Sequence, residues 1–381
     1  IFFFSIFISF LYVVQKLINE NNIKNLIILG FSSALLINAK ILGIIPVIIF
    51  ILIYSFYIFD DKKNIFKNLK TIFILLLSTF FFIVLLWPYL WFNPVDNFIK
   101  GFSDIIKAHN NLVVLTYFSG EYLSSTNTPW YFRIVWFLIS TPVIVIMFFI
   151  TGFFLQIKKM ISRIMNLNEK NVDIWNNKLD FYDFYLVISL LFITFITVKF
   201  NDSQFNGWRH LYFLYGIILY LSVYGYTKIL SLKNKFIKKI LNFLIIFSII
   251  YNSSWIIKNH PYQNNYFNFF SNRYLMNKFD LDYWGLSNFQ AIKYILKNDN
   301  KNKINIGSIS FADLNMTILK LNSDNRKRLN IVYDYKKADY LIESYMKRIR
   351  KIDAINGKMY KKYYEIKVNK IPINTVYKKV E

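Results

Sequence analysis

The sequence predicts a mostly α-helical polytopic membrane protein that carries a small α/β soluble domain at its C-terminus. Three observations point there. The 381-residue chain is 55% hydrophobic and 20% aromatic, well above the usage of a water-soluble domain. Several runs of about 19 to 24 residues almost lack charge, and each would cross roughly 30 Å of hydrocarbon as a helix. After Lys258 the composition becomes that of a water-soluble domain. The expected division is a transmembrane domain over 1–257, with a non-cytoplasmic loop at 91–131, and an α/β domain over 258–381.

The formal net charge of +24 does not point to nucleic acid, because the lysines gather in short clusters between oily runs and in the last third of the chain. That distribution is a topology signal and a means of touching anionic lipid. The chain contains no cysteine, which excludes disulfides and thiolate metal sites. It opens on Ile1 inside an apolar run, so the expectation is that an N-terminal part of a longer protein precedes it.

Taken in order, residues 1–14 read as the end of a span, followed by a polar link with Lys16, Glu20 and Lys24. Residues 25–38 form an apolar segment of about 21 Å, too short to cross alone. Lys40 then stands at the tip of a hairpin with 41–59. A lysine at that depth costs a few kcal/mol unless it meets an anion or water. Further spans are expected over 71–90, 132–155, 181–200, 208–226 and 236–257. The connections around Lys24, Lys62, Lys158 and Lys233 are basic, and simple alternation puts all of them on the cytoplasmic side. Lys40, the loop, the turn at Trp208 to His210 and everything after Lys258 then share the opposite face.

In the C-terminal part, Ser287 is expected to cap a helix running to about Lys297, with Phe289, Ile292, Ile295 and Leu296 on one face. Strand-like KINIGSI, NIVYD and ADYLIES follow, then the alternating pair YYEIKV and INTVYK around Pro372.

The long segment 87–133 is the only one between oily spans that combines acids, a histidine, prolines and aromatics. Arg209 and His210 open a late span on the same face. A guanidinium there suits a phosphate, and Lys40 supplies a second cation at that depth. An interfacial anchor alongside Trp208 is the bland alternative. Glu121 is a candidate general base, with a solvated or helix-capping carboxylate as the competing reading. Asp96 and Asp104 rank behind Glu121, and Asp96, which follows Asn93 and Pro94, reads as a turn or cap residue. Trp87, Trp91, Trp130, Tyr131 and Trp136 read as an interfacial belt, some of it able to stack on a sugar ring. The three histidines, His109, His210 and His260, lack local metal-ligand spacing.

The ordered pieces WPYLWFNP, GEYLSSTNTPWYF, NGWRHLYFLYGIILYL, HPYQNNYFN and LDYWGLSNFQAIKYIL resemble the membrane glycosyltransferases of the GT-C superfamily. Within it, the branch resembled is family 39, which holds protein O-mannosyltransferases and aminoarabinose transferases. The resemblance runs over most of the chain, from ALLINAKILGIIP to VNKIPINTVYK, and it lies in the order of the pieces. It implies a GT-C-like fold and transfer of a sugar from a polyprenyl-phosphate carrier to an acceptor at the outer membrane face. It also implies that the catalytic acid, usually an Asp in the first non-cytoplasmic loop, lies upstream of Ile1. Arg209 matches the basic position expected near the carrier phosphate, with His210 beside it as a candidate for the same site, and Lys40 matches a basic position in the short hairpin. Glu121 matches a recurrent loop position. Asn127, Trp130 and Tyr131 belong to the loop expected to meet the acceptor or sugar.

No cofactor and no divalent metal are expected. The expected partners are membrane lipids, a polyprenyl-phosphate sugar and an acceptor glycan, lipid or protein; nucleic acid is not among them. The expected setting is a bacterial inner membrane, with the C-terminal domain extracytoplasmic. A transporter or flippase of a lipid-linked sugar and a non-catalytic membrane scaffold stay open as alternatives.

Overall fold

A computed structural model describes residues 2–59, 64–111, 113–166, 175, 177–199, 204–232, 234–270, 276–310, 313–345 and 359–380. Lys62, Lys170 and Lys233, which entered the topology reading, lie outside the described residues, as does the side chain of His109. Among the described residues, seven helices are long and apolar enough to cross a membrane: Phe2–Asn19, Ile41–Ile58, Ile65–Leu86, Val143–Met165, Lys178–Lys199, Arg209–Leu230 and Lys235–Lys258. Ile23–Ala39 is apolar but shorter.

The chain packs as two compact units: Ile1–Leu112 with Ile144–Ser203 and Arg209–Ile240, and Val113–Val143 with Gln204–Trp208 and Leu241–Glu381. This division does not follow a 257/258 boundary, because part of the expected loop packs with the C-terminal segment.

Unit 1 holds α1 (Phe2–Asn19), α2 (Ile23–Ala39), α3 (Ile44–Phe59), α4 (Ile65–Leu86) and α5 (Pro94–Asn111). Asn22 starts α2 by accepting the Asn25 backbone N–H at 2.8 Å, satisfying one of the orphan donors of the first turn. The segment 87–133 is therefore not one loop: α5 occupies 18 of its residues. Unit 1 also contains most of α7 (Val143–Met165), all of α8 (Lys178–Lys199) and all of α9 (Tyr215–Leu230).

The expected span 132–155 is corrected. A short helix, α6 (Phe132–Ser140), is followed by an extended Thr141 and by Pro142, which has no N–H to continue the ladder, and α7 starts afresh at Val143. As a result Lys158, Lys159 and Arg163 lie in the last turns of the span instead of beyond it.

Unit 2 is organised by a large apolar cluster, with a smaller one of Ile309, Ala338, Leu341 and Tyr360. Phe118, Phe132, Trp136, Trp255, Phe267 and Phe279 pack in the same apolar cluster as Ile292, Ile295, Ile306, Ile342 and Val376. The hairpin of β1 (Leu115–Phe118) and β2 (Glu121–Ser124) turns through Ser119 and Gly120, both at positive φ. Gly120 N–H donates to the Lys278 carbonyl at 2.9 Å, and Asp280 Oδ2 accepts from Thr116 Oγ1 and the Tyr117 N–H, each at 2.9 Å. The hairpin is thereby sewn to the C-terminal chain.

The C-terminal sheet is mixed, in the order β4, β3, β5, β7, β6. Its strands are β3 (Ile304–Ser308), β4 (Leu329–Ile331), β5 (Tyr340–Ser344), β6 (Tyr360–Val368) and β7 (Ile371–Lys379). β3 pairs parallel with β4 and β5, and β7 pairs antiparallel with β5 and β6. Pro372 is tolerated because it sits opposite Lys367, where the β6–β7 register shifts, and before the β5 pairing begins at Asn374.

The helix α11 (Ser287–Asn298) covers this core with Ala291, Ile292, Ile295 and Leu296. Ser287 is not its cap. Asp282, fully buried and at φ +47°, accepts the Leu286 and Ser287 N–H groups at 3.0 Å each, and Ser287 Oγ also donates to it. The sequence reading missed it because the capping carboxylate stands several residues upstream, beyond a turn through Gly285.

Burial pushes the Asp282 carboxyl up to about 6, against the pull of those hydrogen bonds. The folded protein then holds a proton that the unfolded chain has released. Stability from this group is complete below about pH 4 and is lost as pH rises towards 6, on the order of 3 kcal/mol in all. In Asp282→Asn this loss is absent, while a constant penalty of about 1–3 kcal/mol appears, because an amide N–H2 faces a backbone donor. Thermal unfolding of the whole chain in detergent should show the gap between variant and parent narrowing from pH 4 to pH 6; a gap constant over that interval would contradict the assignment.

Candidate functional site

In unit 1 the chain brings Lys40, Arg209 and His210 together. Lys40 ends α2 in an extended conformation, its N–H donating to the Leu36 carbonyl at 3.3 Å, and a 3-10 turn at Ile41–Gly43 follows. Lys40 Nζ donates to the backbone carbonyl of His210 at 3.2 Å, and Arg209 Nε lies 3.4 Å from His210 Nε2. Alternation of spans assigned both positions to one membrane face, and a contact between them is compatible with that assignment.

Arg209 and His210 lie in a 3-10 segment, Arg209–Leu214, that precedes α9. Phe213 in this segment packs edge-on against Phe3 and Phe7 of α1, with ring centroids 4.9 and 5.0 Å away, and Tyr212 stacks on Tyr215 at 5.5 Å. The aromatic packing holds the segment in place, while Lys40, Arg209 and His210 stay half-buried. Two cations in that setting are partly removed from water, which strengthens their attraction for an anion. Sequence reasoning missed the aromatic support because Phe3 and Phe7 belong to an apolar run without polar contrast.

The other predicted residues lie in unit 2. Glu121 is exposed, at the start of β2 opposite Phe118. Asn127 is exposed in the turn after the hairpin, its N–H donating to the Ser124 carbonyl at 2.9 Å. Trp130 and Tyr131 are exposed and meet edge-on at 5.7 Å. Trp136 does not belong to an interfacial belt: it is buried in the unit 2 core, 5.1 Å from Phe279. Trp208 donates from Nε1 to Ser140 Oγ at 2.9 Å and belongs to unit 2. Asp96 is in the first turn of α5, a place that suits a carboxylate. His260 Nδ1 lies 2.7 Å from Gln263 Nε2. Among the described residues no group of three or more His, Cys, Asp or Glu side chains converges to hold a metal ion.

A second polar group in unit 1 was not singled out from the sequence. Asp183, 4% exposed inside α8, accepts from Gln156 Nε2 of α7 at 2.7 Å and from Tyr220 Oη of α9 at 2.6 Å. One turn away, Asp180 pairs with Lys159 and, at 2.6 Å, with Arg163 Nη1. Such residues at interior positions tie helices together where apolar attraction to a neighbouring helix is no stronger than to lipid. Asp183→Leu should leave Gln156 and Tyr220 without an acceptor and cost about 1–3 kcal/mol. A melting temperature in detergent equal to that of the parent would refute this. The signal in the sequence was an acid several residues inside an apolar run, legible only once the facing helices are known.

Comparison of the chain with models of protein families, with curated proteins and with solved structures finds no match. The fold defines the class: among the described residues, seven apolar helices of spanning length mark a multi-pass membrane protein with a small sheet region near its C-terminus.

Proposed function

We propose that the protein is a membrane glycosyltransferase that moves a sugar from a polyprenyl-phosphate carrier to an acceptor at the outer membrane face. The observation that supports it is the cluster of Lys40, Arg209 and His210, built where α2 ends and the Arg209–Leu230 span begins. In this reading the acceptor oxygen attacks the anomeric carbon, and the bond from that carbon to the phosphate oxygen breaks. The electron pair leaves with the polyprenyl phosphate. Arg209 and Lys40 stabilise the charge that builds on the departing phosphate, and the acceptor proton passes to a carboxylate. Glu121, Asn127, Trp130 and Tyr131, the sequence's candidates for acid–base work and for contact with acceptor or sugar, lie in the other compact unit, and no part in this step is assigned to them.

The test is transfer of labelled sugar from a polyprenyl-phosphate donor, in membranes holding the protein, with Arg209→Ala beside the parent. Loss of product in the variant at equal protein level supports the reading; equal turnover overturns it. The buried Asp183, Gln156 and Tyr220 group favours the second reading, a transporter or flippase of a lipid-linked sugar, since polar groups inside a bundle are what such a path needs. Movement of labelled lipid without product would select it.

A further inference from the structure

Segment 259–270 connects α10 (Lys235–Lys258) to the rest of unit 2, and it does not leave the helix directly. It folds back along it. Tyr266 meets Trp255 edge-on at 5.0 Å and donates from its hydroxyl to Asn252 Oδ1 at 2.6 Å. Phe269 reaches Tyr251 edge-on at 6.0 Å. Tyr251 stands about two turns, or about 10 Å, back from the Lys258 end of the helix.

The fold-back is held from the other side as well. Asn268 N–H donates to the Ile139 carbonyl at 2.8 Å, and its side-chain amide donates to the Thr141 carbonyl at 2.9 Å and to the Leu138 carbonyl at 2.5 Å. These are carbonyls at the end of α6, which stops at Thr141 and so leaves them without helical partners. Asn268 is itself buried, whereas its neighbours Phe269 and Phe270 are 69% and 74% exposed and touch one another at 5.8 Å. A firmly tied segment thus presents two bare phenyl rings. Their surroundings say what covers them: α10 is of spanning length, and only 6% of its apolar window is covered by protein.

We propose that Phe269 and Phe270 form a wedge that enters the bilayer beside α10, so that unit 2 is anchored in lipid by this segment as well as by its helix. The partner is the boundary between headgroups and acyl chains, into which an apolar face sinks by about 5–10 Å. The tie through Asn268 fixes the depth, because it hangs the wedge from the first residues before α7. This inference concerns how unit 2 meets the membrane and holds whether or not the protein transfers sugar.

The chain has no cysteine, so single substitutions accept a nitroxide label cleanly. Phe269→Cys and Phe270→Cys, each labelled in the whole protein and reconstituted into phosphatidylcholine and phosphatidylglycerol vesicles, should collide several-fold more often with oxygen than with a water-soluble nickel chelate. Tyr333→Cys, at an 86% exposed position outside the helices, supplies the aqueous reference with the opposite ratio. Phe270→Cys leaves the Phe269–Tyr251 contact intact, so a disturbance of that contact does not confuse the result. Labels at both positions behaving as at Tyr333 would overturn the proposal.

Discussion

Arg209→Ala is expected to lower sugar transfer by about a hundredfold or more while the protein still inserts and accumulates, the scale on which removal of one charge-stabilising donor acts. The side chain is half-buried and rests against His210, so removing it subtracts a positive charge from that place. Arg209→Lys should recover only part of the rate, because an ammonium keeps the charge but not the planar fork that meets a phosphate. Lys40→Ala should also be severe, since the ammonium both carries charge and ties α2 to the His210 carbonyl. His210→Ala should be milder: the atom that Lys40 uses belongs to the backbone and survives the change. Rates ordered otherwise, with His210→Ala the most damaging, would mean that the imidazole and not the paired cations carries the work.

Gly152→Leu should prevent unit 1 from packing. A Cβ on Gly152 would lie 1.9 Å from the Leu221 carbonyl oxygen, and one on Gly225 2.2 Å from the Phe148 carbonyl oxygen, so α7 and α9 touch backbone to backbone. Backbone cannot swing aside as a side chain can. Close approach of this kind lets two helices associate inside lipid, where no difference in apolarity drives them together. Ser222 adds to the seam by donating to the Val145 carbonyl at 3.1 Å. With the seam opened, Tyr220 loses its place on Asp183 and the start of the Arg209–Leu230 span loses its footing. The variant should fail to accumulate or should melt far below the parent, by more than the 1–3 kcal/mol typical of overpacking. Gly101→Ala is the control, since its new Cβ would meet side-chain rings and not backbone, Trp87 at 3.3 Å and Tyr89 at 3.6 Å. A Gly152→Leu protein of normal yield and melting temperature would refute the seam.

Most spans were legible in the sequence, because charge-poor runs of that length suit a bilayer, although the helix expected at 71–90 starts earlier, at Ile65, and takes in Lys67 and Lys70. Where the reading went astray, a local break overrode composition. Residues 132–155 looked continuous, but Pro142 cut them and left α6 to the core of unit 2. Trp136 looked interfacial by its residue type, and burial against Phe279 decided otherwise. The expected loop of 87–133 concealed α5, whose apolar face alternates with charged residues and so reads as a polar connection when taken one residue at a time.

For the candidate site, alternation of basic connections sufficed to put Lys40 and Arg209 on one face. Their pairing through the His210 carbonyl spans 170 positions and had no signature in the chain. Composition alone determined that this protein lives in a membrane, since hydrophobic length acts residue by residue along the chain. Which polar atoms meet, as in Asp183 with Gln156 and Tyr220 or Asp282 with the start of α11, was decided only by the tertiary structure. A buried hydrogen bond depends on distance and direction between segments, and neither quantity is written in the order of the residues.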